Sequence, residues 1–219
     1  MGYICEQINL NNGNYFKISG EMSGKMKCIR SLNTSHILNP FCQENRSNKD
    51  SICSHCYSYT SEKRYKLSTE LWKLNYKVLS ENVLTDNEIP VLKQDILFRF
   101  NAHGDLINRV HYNNLIKIAK KNPGVKFALW TKNLKVIYKN NGIIKLDNLQ
   151  YVYSDMYLNN LGSPIIPDGF DKLFRVYTIK TIRKHEIKIN CINTCFKCRI
   201  CYTQNDIRIV NEQIKSRFK

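Results

Sequence analysis

The sequence has no apolar run long enough to span a bilayer, so a membrane helix is excluded. It also has no Arg-rich block and no RNP-like signature, so no sequence-reading nucleic-acid element is visible. Acidic residues are scarce, 18 Asp+Glu against 34 Lys+Arg, for a net charge of +16. That excess favours phosphate-bearing partners, bound electrostatically and without sequence specificity. The lysines are dispersed, however, with only small basic groups such as Arg183-Lys184-His185. The chain is also crowded with Lys, Asn, Ile and Tyr, a bias that an AT-rich genome imposes on any protein. Met1 to Leu10 lacks a basic stretch followed by an apolar one, and Glu6 breaks the N-myristoylation pattern. A cytoplasmic location is expected.

Cysteine is what the chain has in quantity. Nine residues, an odd number, argue against a pure disulfide framework, and in a reducing compartment clustered thiols bind metal or do redox work. Cys42, Cys53 and Cys56 form one group, its last two thiols spaced C-x2-C around Ser54-His55 and followed by Tyr57. That spacing lets two sulfurs reach one metal or one cluster. Three ligands leave one coordination position open, as catalytic metal sites do, or call for a distant fourth. The second group, Cys191, Cys195, Cys198 and Cys201, has spacings x3, x2 and x2 within eleven residues. A ferredoxin-type run has the same spacings in reverse order. Zinc is the alternative metal for both groups, but here two C-x2-C units share Cys198, whereas zinc knuckles are usually separate. Cys5 and Cys28 have no close cysteine partner and are expected to be buried free thiols.

With hydrophobic residues at 42% and no break in composition, residues 1–219 are expected to form one domain. Tyr15 to Ile18 and Met26 to Leu32 read as strands, and the group around Cys42 as a polar loop. Leu67, Leu71, Leu74 and Val78 recur at helical spacing, with Trp72 and Tyr76 beside them as core residues. Ile96 to Phe100 is apolar on both faces, like a buried parallel strand, and ends in Asn101-Ala102-His103-Gly104-Asp105. A helix follows over Ile107 to Ala119, stopped by Asn122-Pro123-Gly124. Further strands are expected at Val125–Leu129, before Thr131-Lys132, at Leu149–Tyr153, before Ser154-Asp155, and at Leu173–Ile179. A short helix is expected from Lys135 to Asn140, ended by Asn141-Gly142. This rhythm is α/β: a partial, open β/α barrel over residues 42–185 with a cysteine-rich segment over 186–219. A doubly wound sheet is the second choice.

The motif Cys42…Cys53-Ser-His-Cys56-Tyr57 resembles the cluster motif of radical S-adenosylmethionine (SAM) enzymes. Gly104-Asp105 is similar to their glycine-rich acidic segment, which binds the SAM amino group. A closer resemblance is to a phage family known as gene product 88. It is carried by Cys53–Tyr57, Phe98–Asp105, Phe127–Asn133, Tyr153–Asp155 and Cys191–Tyr202. The resemblance implies a radical SAM-like partial barrel and a [4Fe-4S] cluster on Cys42, Cys53 and Cys56, with SAM on its open iron. A second cluster would sit on the C-terminal cysteines. It further implies His55, Tyr57, Gly104, Asp105, Thr131, Lys132 and Ser154 as cofactor-binding positions. The sequence departs from the enzymes in having ten residues between Cys42 and Cys53, Asp105 in place of glutamate, and His103 in place of the segment's first glycine. A non-enzymatic iron–sulfur or zinc protein that binds nucleic acid or a host protein is the alternative. Asp105 has its own alternative, as a cap for the helix near Ile107.

Overall fold

A computed structural model describes residues 5–139 and 142–214. Strands β1 (Glu6–Asn9) and β2 (Tyr15–Ile18) pair antiparallel across a turn through Asn12-Gly13. The remainder is built on six strands: β3 (Arg30–Leu32), β4 (Leu97–Phe100), β5 (Lys126–Thr131), β6 (Leu149–Leu158), β7 (Lys172–Tyr177) and β8 (Ile209–Gln213). They hydrogen-bond in that order and are parallel throughout. The order of these strands never reverses, so the sheet lacks the switch point that defines the doubly wound alternative.

Parallel neighbours require crossovers, and helices supply most of them. Helices α1 (Pro40–Ser47), α2 (Tyr57–Arg64) and α3 (Lys66–Glu81) lie between β3 and β4. Helix α4 (Arg109–Lys121) joins β4 to β5, and α5 (Leu134–Tyr138) joins β5 to β6. Helices α6 (Ile179–His185) and α7 (Cys195–Cys198) precede β8. No helix among the described residues is long and apolar enough to cross a membrane.

Strand alternation divides the side chains between two faces. Phe98, Phe100, Phe127, Leu129, Leu149 and Tyr151 pack with Val78 and Leu79 of α3, Tyr112 and Leu115 of α4 and Ile137 of α5 in the main core. The opposite face carries Leu97, Ala128, Val152, Phe174 and Val210. Its cover is not a helix layer but the cysteine-rich segment: Cys195, Phe196, Ile200, Cys201 and Tyr202 pack there. That segment leads into β8, which pairs with β7, so the sheet extends beyond residues 42–185 at both ends.

Several local expectations need correction. The first half of the stretch from Cys42 to Cys53 is helix α1, with Asn39 as N-cap accepting from the Phe41 amide and Pro40 at the start. Pro40 fits there because the first turn leaves its amide positions unbonded anyway. Cys5 and Cys28 are exposed rather than buried. Cys28 sits at φ 67° beside a short 3-10 turn, Gly24–Met26, where the chain bends before β3. Helix α3 forms over its four turns, but its buried positions are Thr69, Trp72, Asn75, Val78 and Leu79, while Leu67 points to solvent. Residue Ile179 starts α6 rather than ending β7. The expected stop at Asn141 lies outside the described residues.

Candidate metal and ligand site

The first cysteine group is assembled by three consecutive short elements. Cys42 is buried on α1. Cys53 lies in a 3-10 turn, Ile52–His55, whose start is fixed by the Ser51 hydroxyl accepting from the Cys53 amide at 3.1 Å. Cys56 ends that turn and is the N-cap of α2. The turn is anchored to the sheet by an antiparallel bridge between Ser51 and Tyr157 at the end of β6.

Burial pushes the Cys42 thiol well above its ordinary range, and the nearby Asp105, Cys56 and Cys53 push it further, against the pull of Lys132. Burial also raises Cys56, partly offset by backbone amides of Tyr59 and Ser58 that donate towards its sulfur. Those amides open α2, where a helix N-terminus favours a thiolate. Cys42 and Cys56 therefore share one neighbourhood in which ionisation is costly unless a cation relieves it.

At the carboxyl ends of β4, β5 and β6 the polar residues join into one chain. Asp105 accepts from the Thr131 hydroxyl, from the Lys132 amide at 3.0 Å and from the Leu106 amide at 2.7 Å. Burial raises its carboxyl, and these donors and the Lys132 ammonium act against that. Lys132 in turn donates to the Ser154 hydroxyl at 2.6 Å. Asp105 is not the cap of α4: Asn108 takes that place, accepting from the His111 amide at 3.0 Å. Gly104 stands at φ 79°, and a Cβ there would meet the Thr34 carbonyl oxygen and hydroxyl. Its lack of a side chain serves the close approach of the segment after β3.

The second cysteine group crosses the sheet face opposite the main core, with Cys195 and Cys198 at the two ends of the single turn α7. Burial raises the Cys201 and Cys195 thiols, with the other cysteines of the group adding to the shift at Cys201 and the Arg99 guanidinium opposing it at both. Burial pushes Cys191 up to about 11. Lys25 donates to the Cys191 carbonyl at 2.6 Å, approaches its sulfur at 3.6 Å and pairs with Glu212 at 2.5 Å. An N-terminal turn thus clamps the start of the cysteine run.

Both groups line one cavity of about 1090 Å³. Every residue singled out above lines it: all seven clustered cysteines and His55, Tyr57, Gly104, Asp105, Thr131, Lys132 and Ser154. His55 is exposed at its rim, and Tyr57 donates its hydroxyl to the Ala102 carbonyl. No set of three His, Cys, Asp or Glu side chains among the described residues is gathered so as to hold a single metal ion.

Sequence reasoning missed part of the lining. His103 stacks on Trp72 with ring centroids 4.1 Å apart, and burial lowers the imidazole to about 3. Trp72 is therefore a cavity wall as well as a core residue. Arg99 lies across Trp130 at 3.9 Å from the ring centroid. The signal for Arg99 was present in the sequence: it is the one charge in an otherwise apolar buried strand.

No curated protein and no solved structure matches the chain. A family model does, that of gene product 88, over residues 28–161. The matched stretch runs from β3 through β6 and holds Cys42, Cys53, Cys56 and the Asp105–Lys132–Ser154 chain. Because it covers more than half of the 219 residues, the chain belongs to the gene product 88 family.

Proposed function

We propose that this protein is an iron–sulfur protein of radical SAM-like type, with two clusters facing one chamber inside a partial β/α barrel. The observation that carries the reading is the meeting of both cysteine groups and the polar strand ends on one cavity. Six parallel strands in sequential order, with helices packed on one face, suit a sheet that curls as an open barrel. The cavity at its carboxyl edge is where such folds place their chemistry.

Cys42, Cys53 and Cys56 would hold one cluster, with one iron left for SAM. Cys191, Cys195, Cys198 and Cys201 would hold the other. The donor set fits: thiolates are the usual ligands of such clusters, and each group brings at least three. When bound, the first cluster and SAM would together supply one-electron reductive cleavage of SAM.

The protein's own part is positioning and exclusion of water. Asp105 has spent three acceptor positions on Thr131, Lys132 and Leu106, of about four that a carboxylate offers. It therefore holds the strand ends in register and has one position left for a ligand ammonium. Lys132 and Ser154 continue that rim towards β6.

The test is the reduced electron paramagnetic resonance spectrum of anaerobically purified protein, recorded with and without SAM. A change of signal on adding SAM supports the reading. A full cluster whose spectrum does not respond to SAM leaves a cluster-bearing scaffold in its place.

A further inference from the structure

Among the described residues, the sheet face under the cysteine-rich segment has a concentration of buried donor atoms without a hydrogen-bond partner. Arg99 points from the middle of β4 into the cavity. Among the described residues it has no carboxylate partner. Its contacts are the Met26 sulfur, 3.3 Å from one terminal nitrogen, and the face of Trp130. Its Nε is buried without a hydrogen-bond partner. The same holds for the Trp130 indole N–H and for the hydroxyl of Tyr202, which is itself 2% exposed. All three side chains line the cavity.

Buried donors left unmet are uncommon, because each forfeits the hydrogen bond it would have made to water. A guanidinium with no carboxylate partner is more costly still. Three such donors with no facing acceptor describe a place for an acceptor-only group carrying negative charge. Around them the walls are apolar, from Trp72, Trp130, Phe174 and Val210.

We propose that this cavity binds a small molecule that carries a carboxylate or phosphate, held by Arg99 with Trp130 and Tyr202, and that has an apolar or aromatic body. In naming this as the substrate class, the inference rests on the reading of the cavity as a reaction chamber; the preference for an anion does not depend on a cluster. Arg99 pairs with two oxygens of such a group in a way lysine cannot.

Calorimetric titration with two matched pairs of probes tests this: indole-3-acetate against indole-3-acetamide, and adenosine 5′-monophosphate against adenosine. The first pair reads a carboxylate and the second a phosphate. In wild-type protein the anionic member of at least one pair binds tenfold or more tighter, about 1.4 kcal/mol. In Arg99→Gln that preference collapses. Equal binding within both pairs, or a preference undiminished in Arg99→Gln, overturns the proposal. Should Arg99→Gln fail to fold, phenylglyoxal labelling of wild-type protein decides. The anionic probe then slows modification of Arg99 while its neutral partner does not, and absence of protection overturns the proposal. Iron and sulfide assayed on the same wild-type preparation separate the two readings, since their absence removes the clusters and leaves the anion preference to stand or fall alone.

Discussion

Asp105 at the end of β4 accepts the backbone amide of Lys132 at the end of β5, 3.0 Å away. With Thr131 donating to its other oxygen, one buried carboxylate sets the spacing of two neighbouring strand ends. Replacing it by asparagine keeps the shape but turns one acceptor into a donor, facing either the Thr131 hydroxyl and the Leu106 amide or the Lys132 amide. The Asp105→Asn variant is therefore expected to lose about 1–3 kcal/mol of stability in a urea melt. An unchanged midpoint would show that the carboxylate does not hold the strands together.

Gly104 and Gly13 separate two reasons for glycine. Both have positive φ, 79° and 81°, but only Gly104 has a neighbour where a Cβ would go. Gly13→Ala should cost about 1–2 kcal/mol, the left-handed penalty alone. Gly104→Ala bears that penalty and also forces the Thr34 backbone away, so it should cost clearly more, by another 1–3 kcal/mol or about that. Equal losses would mean that the Thr34 segment yields freely.

His111 offers a pH test away from the cysteines. It is fully buried on α4, and burial lowers its imidazole to about 3. A histidine whose folded pKa lies below its unfolded value of about 6.5 contributes fully above that value and loses its contribution as pH falls towards the folded pKa. From pH 7 to pH 5 the cost from His111 is about 2 kcal/mol. In urea melts, His111→Gln should lose less stability than wild type over that interval. Equal slopes for the two proteins would show that His111 titrates freely in the native state.

How much of this was legible beforehand follows from the physics of each segment. Strands β4 and β5 were visible because they are buried on both faces and so read as apolar runs. Helix α4 was visible from its periodicity and its Asn-Pro-Gly stop. Strand β8 was not, since Ile209-Val-Asn-Glu-Gln is short, lies at an edge and carries only one fully buried apolar residue. Helix α1 was hidden by its polar composition, although Asn39-Pro40 was a usable start signal. The candidate residues at Gly104, Asp105, Thr131, Lys132 and Ser154 were found because they end strands. The meeting of the two cysteine groups was out of reach, because it depends on the tail crossing the sheet's open face between residues that are distant in sequence.

The central claim is that two cysteine groups hold two clusters on one cavity, and it is tested most directly by counting metal. Iron, sulfide and zinc should be assayed in anaerobically purified wild-type protein and in Cys53→Ser and Cys198→Ser. The account predicts about eight irons per chain in wild type and a loss of about four in each variant, with matching loss of sulfide. Zinc in place of iron, or iron and sulfide unchanged in both variants, would contradict it.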